Sequence, residues 1–258
     1  MVSSTAVLIP ALLALCTGQL IIPPRPLGFV YMNGSSNSPI HLDVHMGPLC
    51  PDSAGAFPVL LQVAQHYGPA TLKLTLHMFP LPYHRQSYFT AIGAEVVKAQ
   101  RGIAQTFNYI SAIYNDLENL GNAKTYLMNA NDVNKMLTEI ATSSAGVNPV
   151  QFAMGLNDFA METNTRTAWK YSASRGVAST PTFFLNDVTV EADPGWTLSE
   201  WQQVIDPLLK QGDFRSTNGT CPSGEISCEY LPGKFQCCLK GENCIPNVGC
   251  RCFRGNNC

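Results

Sequence analysis

The chain is 258 residues long, with 45% apolar and 13% charged residues. That balance fits one or two compact domains with a proper core and excludes an intrinsically disordered chain. A formal net charge of −2 removes the electrostatic basis for binding nucleic acid or an anionic membrane surface.

Val7 to Cys16 is an apolar run followed by the small residues Thr17 and Gly18. Its length suits the core of a secretory signal peptide and falls short of a membrane span, although no Lys or Arg precedes it. The signal is placed at residues 1–18. A lipid anchor on Cys16 is disfavoured by Leu15, which stands where a small residue is required. No other stretch is long and apolar enough to span a bilayer.

Ile21 to Pro26 is a proline-rich lead-in, Phe29 to Met32 a short strand, and Asn33 to Pro39 a loop. Ile40, Leu42, Val44 and Met46 then alternate with His41, Asp43 and His45, a period of two that predicts a strand. Gly47 and Pro48 end it, and Cys50 follows. Pro51 suits the first turn of a helix, where its missing N–H costs nothing. That helix runs to Gly68. Leu72, Leu74, Leu76 and Met78 alternate again, so strand, helix and strand form a β-α-β unit with parallel strands.

Residues 85–175 carry helical spacing and almost no strand signal. Tyr88, Ile92 and Val96 set one stripe; Ile103, Phe107, Ile110 and Tyr114 set the next; others follow through Val133, Leu137 and Phe152 to Phe159. Four or five helices are predicted, their apolar stripes serving core packing. Strand signal returns at Thr182 to Leu185, Asn186-Asp187 makes a turn, and Val188 to Glu191 pairs back. Leu198 to Leu209 closes as a helix capped by Thr197 or Ser199. A polar linker covers 212–220.

Removal of the signal takes Cys16 and leaves nine of the ten cysteines. Eight crowd into the tail: Cys221, Cys228, Cys237, Cys238, Cys244, Cys250, Cys252 and Cys258. Residues 221–258 are too few to build an adequate apolar core, so disulfides must hold them. The arithmetic points to four disulfides and one free thiol, Cys50. Dense cysteines behind a signal peptide imply an oxidising compartment, outside the cell or in the secretory-pathway lumen. The vicinal pair Cys237-Cys238 and the Cys250-x-Cys252 spacing resemble cystine-knot modules. Eight cysteines allow 105 pairings, and the spacing does not choose among them. The uneven spacing disfavours a zinc site. The tail's loops suit binding to a protein or carbohydrate, or the tail is a stabilising appendage. Asn33-Gly34-Ser35 and Asn218-Gly219-Thr220 are glycosylation sequons.

Two segments carry chemistry. Cys50-Pro51-Asp52-Ser53 puts a thiol at a helix N-terminus, where exposed N–H groups and the macrodipole favour the reactive thiolate. Gly176-Val177-Ala178-Ser179-Thr180-Pro181-Thr182-Phe183-Phe184 puts a proline immediately before a strand, either trans at a strand start or cis, with backbone groups presented to a ligand. His84 follows the second parallel strand, so its loop should rim the same crevice. It is a candidate ligand or proton-transfer group or a structural histidine. Asp43 and His45 precede Cys50 on one strand face and are candidate proton acceptors or structural groups. His41, His45 and His84 lack metal-ligand spacing, so no metal is expected.

These two segments, with the helical block between them, resemble the DsbA-like branch of the thioredoxin superfamily over residues 27–211. With Pro80-Leu81-Pro82-Tyr83-His84 and Lys170 to Gly176, the chain more closely resembles secreted eukaryotic thioredoxin-like proteins with a Cys-x-x-Ser site. The resemblance implies an α/β thioredoxin-like mixed sheet with a helical domain inserted at about 85–175, followed by the disulfide-rich module at 221–258. It also implies a cis Pro181 that aligns substrate together with Thr180, and Cys50 as the attacking sulfur. Ser53 stands where the family has its resolving cysteine and cannot perform that step, though its hydroxyl could donate to the Cys50 thiolate. The function expected is monothiol thiol-disulfide exchange or isomerisation on a thiol- or disulfide-bearing protein or small thiol. Glutathione is a conceivable co-substrate, and no bound cofactor is needed. The alternative is a non-catalytic secreted binding protein with a buried, inert Cys50.

Overall fold

The two alternating stretches become the paired central strands of one sheet. The structure is a computed structural model that describes residues 27–212, 221, 224–231, 234–238, 242–245 and 249–251. The expected signal peptide, the proline-rich lead-in, residues 213–220 of the expected linker, Asn218, Cys252 and Cys258 lie outside the described residues.

Strand β1 is Phe29–Val30, β2 Ile40–Met46, β3 Leu72–Met78, β4 Thr182–Leu185 and β5 Val188–Val190. They form a five-stranded sheet in the order β1-β3-β2-β4-β5. Only β2 and β3 run parallel, joined by helix α1 (Pro51–Tyr67); the other neighbours are antiparallel. The β2–β3 register sets Leu42 opposite Leu74, Val44 opposite Leu76 and His45 opposite His77. The expected first strand is shorter than its apolar run, because Tyr31–Asn33 turns into a 3-10 helix with Met32 and Asn33 at positive φ.

Period two sorts the sheet into two unlike faces. Ile40, Leu42, Val44, Met46, Leu72, Leu74 and Leu76 are at most 1% exposed. They join Phe57, Leu60 and Val63 of α1 and Trp201 and Ile205 of the closing helix in one core. Burying each such side chain contributes about 1.5–3 kcal/mol. The other face carries Asp43, His45, Thr75 and His77, and a helix that ends at Ser174 packs over it. Within β4, Phe183 turns to the apolar face, with its ring 5.3 Å from Trp201, and Phe184 turns to the polar one, 5.2 Å from His45.

Seven helices occupy the block read as four or five: α2 (Ser87–Arg101), α3 (Ile103–Asn115), α4 (Leu117–Leu120), α5 (Asn122–Thr125), α6 (Ala130–Ala145), α7 (Pro149–Gly155) and α8 (Phe159–Ser174). The surplus comes from single-turn pieces, too short to leave a stripe. Asn129, Asn148 and Asp158 cap α6, α7 and α8 through their side-chain oxygens, satisfying N–H groups the helices leave open. Helix α9 spans Leu198–Gly212, reaching beyond the expected end at Leu209 into the linker reading. Glu200 reaches back to accept from the Thr197 N–H and hydroxyl at its start. Among the described residues no helix is long and apolar enough to cross a membrane.

The tail forms two antiparallel hairpins, β6 (Ile226–Leu231) with β7 (Lys234–Cys238), and β8 (Asn243–Ile245) with β9 (Gly249–Arg251). Disulfides join Cys221 to Cys237, Cys228 to Cys244 and Cys238 to Cys250.

Candidate thiol site

Cys50 is the N-cap of α1, with extended backbone (φ −88°, ψ 123°), and Pro51 opens the helix. Met46 ends β2, and a tight turn from Gly47 to Cys50 closes through the Cys50 N–H donating to the Gly47 carbonyl at 3.2 Å. The Thr180-Pro181 peptide bond is cis. The Thr180 carbonyl lies 3.2 Å from Cys50 Sγ and accepts from the thiol. The two segments singled out in the sequence therefore meet, 130 residues apart.

Gly47 makes that meeting possible. A Cβ there would lie 2.6 Å from Thr180 Oγ1 and 2.8 Å from Cys50 Cβ. Only a residue without a side chain lets the end of β2 pass between the thiol and the proline loop. Thr180 Oγ1 itself is buried and has no hydrogen-bond partner among the described residues.

One expectation changes here. Cys50 is only 5% exposed, so the sulfur is not the open thiol the helix-start position suggests. The Thr180 carbonyl lies against it. Ser53 is fully buried, and its oxygen accepts from the Gly47 N–H at 3.1 Å. Accepting there does not use the hydroxyl's own proton, the one expected to be offered to the Cys50 sulfur.

His84 sits half-buried in the turn between β3 and α2, its ring 4.9 Å from Tyr83, and burial lowers its pKa. Among the described residues no hydrogen bond or ring contact joins it to Cys50. Asp43 and His45 belong to a separate buried cluster beneath α8. His45 and His77 stack at 4.7 Å between ring centroids. Asp43 Oδ1 lies 3.0 Å from His77 Nε2, and Ser172 Oγ lies 2.8 Å from His45 Nδ1. Ser172 also donates to the Ala168 carbonyl, so its oxygen is left to accept from His45 Nδ1–H. That makes His45 the neutral Nδ1–H tautomer, with Nε2 buried and without a partner among the described residues. Burial leads in holding its pKa down at about 3, followed by the charge of His77; Asp43 opposes and Arg175 adds. On Asp43, burial raises the pKa, but the hydrogen bond and charge of His77, with Lys73 and His45, bring it below the ordinary value. Neither group has Cys50 as a hydrogen-bond partner, so the proton-acceptor reading gains no contact.

Cys50 is the one free cysteine among the described residues. In the tail, Cys228, Cys238 and Cys250 sulfurs lie within 4.8 Å of one another, but each is already disulfide-bonded. The cluster is a cystine core rather than a set of thiolate ligands. His41, His45 and His84 are not part of it. Asn33 is exposed on the 3-10 turn.

Sequence reasoning missed Gly47 as a contact point, Tyr114, His77 and Ser172. The His77 signal was present: Lys73, Thr75 and His77 alternate with leucines just as His41, Asp43 and His45 do on the neighbouring strand.

A covered thiol at the head of a helix, facing a cis-proline loop across a mixed sheet, defines a thioredoxin-type site. The thioredoxin family model matches residues 30–207, more than half of the chain, and the chain belongs to that family. No curated protein matches it in sequence. Among solved structures it is similar to α-DsbA1 of Wolbachia pipientis, with a TM-score of 0.59 and 16% identity over 74% of this chain and 94% of that one. BdbD of Bacillus subtilis gives 0.58 and 14% over 71% and 93%. DsbA of Chlamydia trachomatis gives 0.56 and 18% over 69% and 90%. At these identities the likeness establishes a DsbA-like fold, a thioredoxin sheet carrying a helical block. The three tail disulfides fit a cystine-knot-like module.

Proposed function

We propose that this chain is a secreted thiol-disulfide exchange protein that works with one sulfur. The observation that carries the reading is Cys50 Sγ at the head of α1, 3.2 Å from the carbonyl that precedes cis-Pro181. The Cys50 thiolate attacks one sulfur of a substrate disulfide. A Cys50–substrate disulfide forms, and the other substrate sulfur leaves as a thiolate. With Ser53 in the resolving position, a different thiolate of the substrate or a glutathione-type thiol must attack the substrate sulfur of that bond next and release Cys50 as the thiolate. Attack by a different substrate cysteine makes a new substrate disulfide and leaves the sulfur released first as the thiol, a reshuffling with no net electron transfer, which is isomerisation. Attack by an external thiol leaves that thiol bonded to the substrate. Pro181 and Thr180 align the incoming chain, and His84 is available at the rim. The route to the secretory pathway and the use of Asn33 and Asn218 for glycans belong to the same proposal.

The test is recovery of activity from scrambled ribonuclease in a glutathione buffer. Wild type should accelerate recovery, and Cys50→Ala should fall to the uncatalysed rate. Equal rates for the two would sink the proposal.

One observation favours a second reading. The 5% exposure of Cys50 suits a scaffold whose thiol is inert, with the cystine-rich tail supplying recognition of a protein or carbohydrate. A Cys50 that resists iodoacetamide in the native protein, together with partner binding lost on deletion of residues 221–258, would favour it.

A further inference from the structure

We propose that Tyr114, contributed by the helical block, is a positioning residue of the thiol site, holding the turn that presents Cys50 through its hydrogen bond to the Gly47 carbonyl. The Gly47–Cys50 turn is tied at one residue. The Gly47 N–H donates to Ser53 Oγ at 3.1 Å. Its carbonyl accepts from the Cys50 N–H and from the Tyr114 hydroxyl, each at 3.2 Å. Both lone pairs of that oxygen are therefore used. Two of the three ties come from the site's own segment. The third crosses 67 residues from the far end of α3.

Tyr114 is 8% exposed, and its ring meets Phe57 of α1 edge-on at 5.3 Å. The ring thus leans on the helix that Cys50 begins, and the hydroxyl holds the turn that Cys50 ends. Burial first, and then the nearby Cys50 charge, push its phenol well above the ordinary range. Tyr114 consequently stays a neutral donor while the thiol changes charge. A nucleophile needs its supporting groups held to about half an ångström. Without the hydroxyl, a buried carbonyl loses one of its two donors and the turn is free to shift relative to Thr180. The same change loosens the turn that fixes the sulfur at the helix N-terminus, which disfavours the anion.

Tyr109 provides the comparison. It lies on the same helix, is 1% exposed, and donates to the Thr90 carbonyl within the helical block. It loses an equivalent hydroxyl when changed to Phe, but one bonded to Thr90 rather than to Gly47.

The experiment compares wild type, Tyr114→Phe and Tyr109→Phe as the full chain. The first readout is amide hydrogen exchange at Cys50 by NMR, which needs no reactive thiol. Tyr114→Phe should speed it by roughly two- to tenfold, the range set by one net hydrogen bond. The second is the pH midpoint of Cys50 alkylation by iodoacetamide, which rests on the exchange-protein reading. Tyr114→Phe should raise it by about half a pH unit. Tyr109→Phe should move neither. If Tyr114→Phe behaves as Tyr109→Phe in the exchange readout, the positioning role is overturned. If wild-type Cys50 does not alkylate, the exchange function falls, and amide exchange alone decides the role of Tyr114.

Discussion

Cysteine does opposite work in the two parts of this chain. In residues 27–212 the core is hydrocarbon, and Cys50 stands alone, held by a carbonyl and a backbone turn. In the tail the sulfurs are the core: Cys228, Cys238 and Cys250 form its buried cluster, and every described pair is internal to it. The difference follows from size. A sheet covered by long helices buries enough apolar surface to fold without a crosslink, so its one cysteine is not committed to one. Two short hairpins bury too little, so their sulfurs are committed to structure.

Reducing agent should break the comparison most sharply. Each tail bridge spans 12 to 16 residues, a loop for which a disulfide contributes about 3 kcal/mol. Treatment with a reductant at neutral pH should abolish dispersed NMR amide signals from 226–251 and leave the melting of the thioredoxin-fold domain unchanged. A tail that keeps its signals when fully reduced would show that its sulfurs are not what holds it.

Acid should act in the opposite sense. His45 is surrounded by His77 from β3, Asp43 from its own strand, Tyr171 and Arg175 from α8, and Phe184 from β4. Its folded pKa, about 3, lies below the ordinary 6.5. The unfolded chain therefore binds the proton first. The stability tied to neutral His45 is complete above 6.5 and is lost as pH falls from there toward 3, by up to about 1.4 kcal/mol per unit. The cystines do not titrate. The urea midpoint of the domain should be lower at pH 5 than at pH 7, and His45→Gln should flatten the dependence; an unchanged slope in that variant would place the acid sensitivity elsewhere.

The smallest effect should come from adding a sulfur where one is missing. Ser53→Cys exchanges an oxygen acceptor for a weaker one beneath the Gly47 N–H, costing about 1 kcal/mol. It also supplies a resolving thiol. Insulin reduction with a thiol donor should rise at least about tenfold over the parent, since resolution becomes intramolecular. No gain would mean that Cys50 is not the attacking sulfur.

The parts legible in the sequence are those written in short-range pattern. Alternation in 40–46 and 72–78, Pro51 after Cys50, and Thr180-Pro181 before an aromatic strand place the sheet and both halves of the site. Asn129 with Asp132, and Asp158 before Phe159, also mark helix starts in the local sequence. What stayed hidden depends on distance along the chain. Tyr114 reaches Gly47 across 67 residues and Ser172 reaches His45 across 127. Neither carries a local mark that separates it from other helical residues. The burial of Cys50 was hidden for the same reason, because its sulfur meets Thr180 across 130 residues.

Cys237 and Cys238 are neighbours on β7, yet they bond to different partners, Cys221 and Cys250. Side chains on a strand alternate, so the two thiols leave on opposite sides, and the register that sets Ser227 opposite Cys237 decides which is which. A slip of one residue would exchange them. The fidelity of the tail's crosslinks thus rests on the alignment of a five-residue strand, and each newly made copy must sort two adjacent sulfurs before its ending can lock.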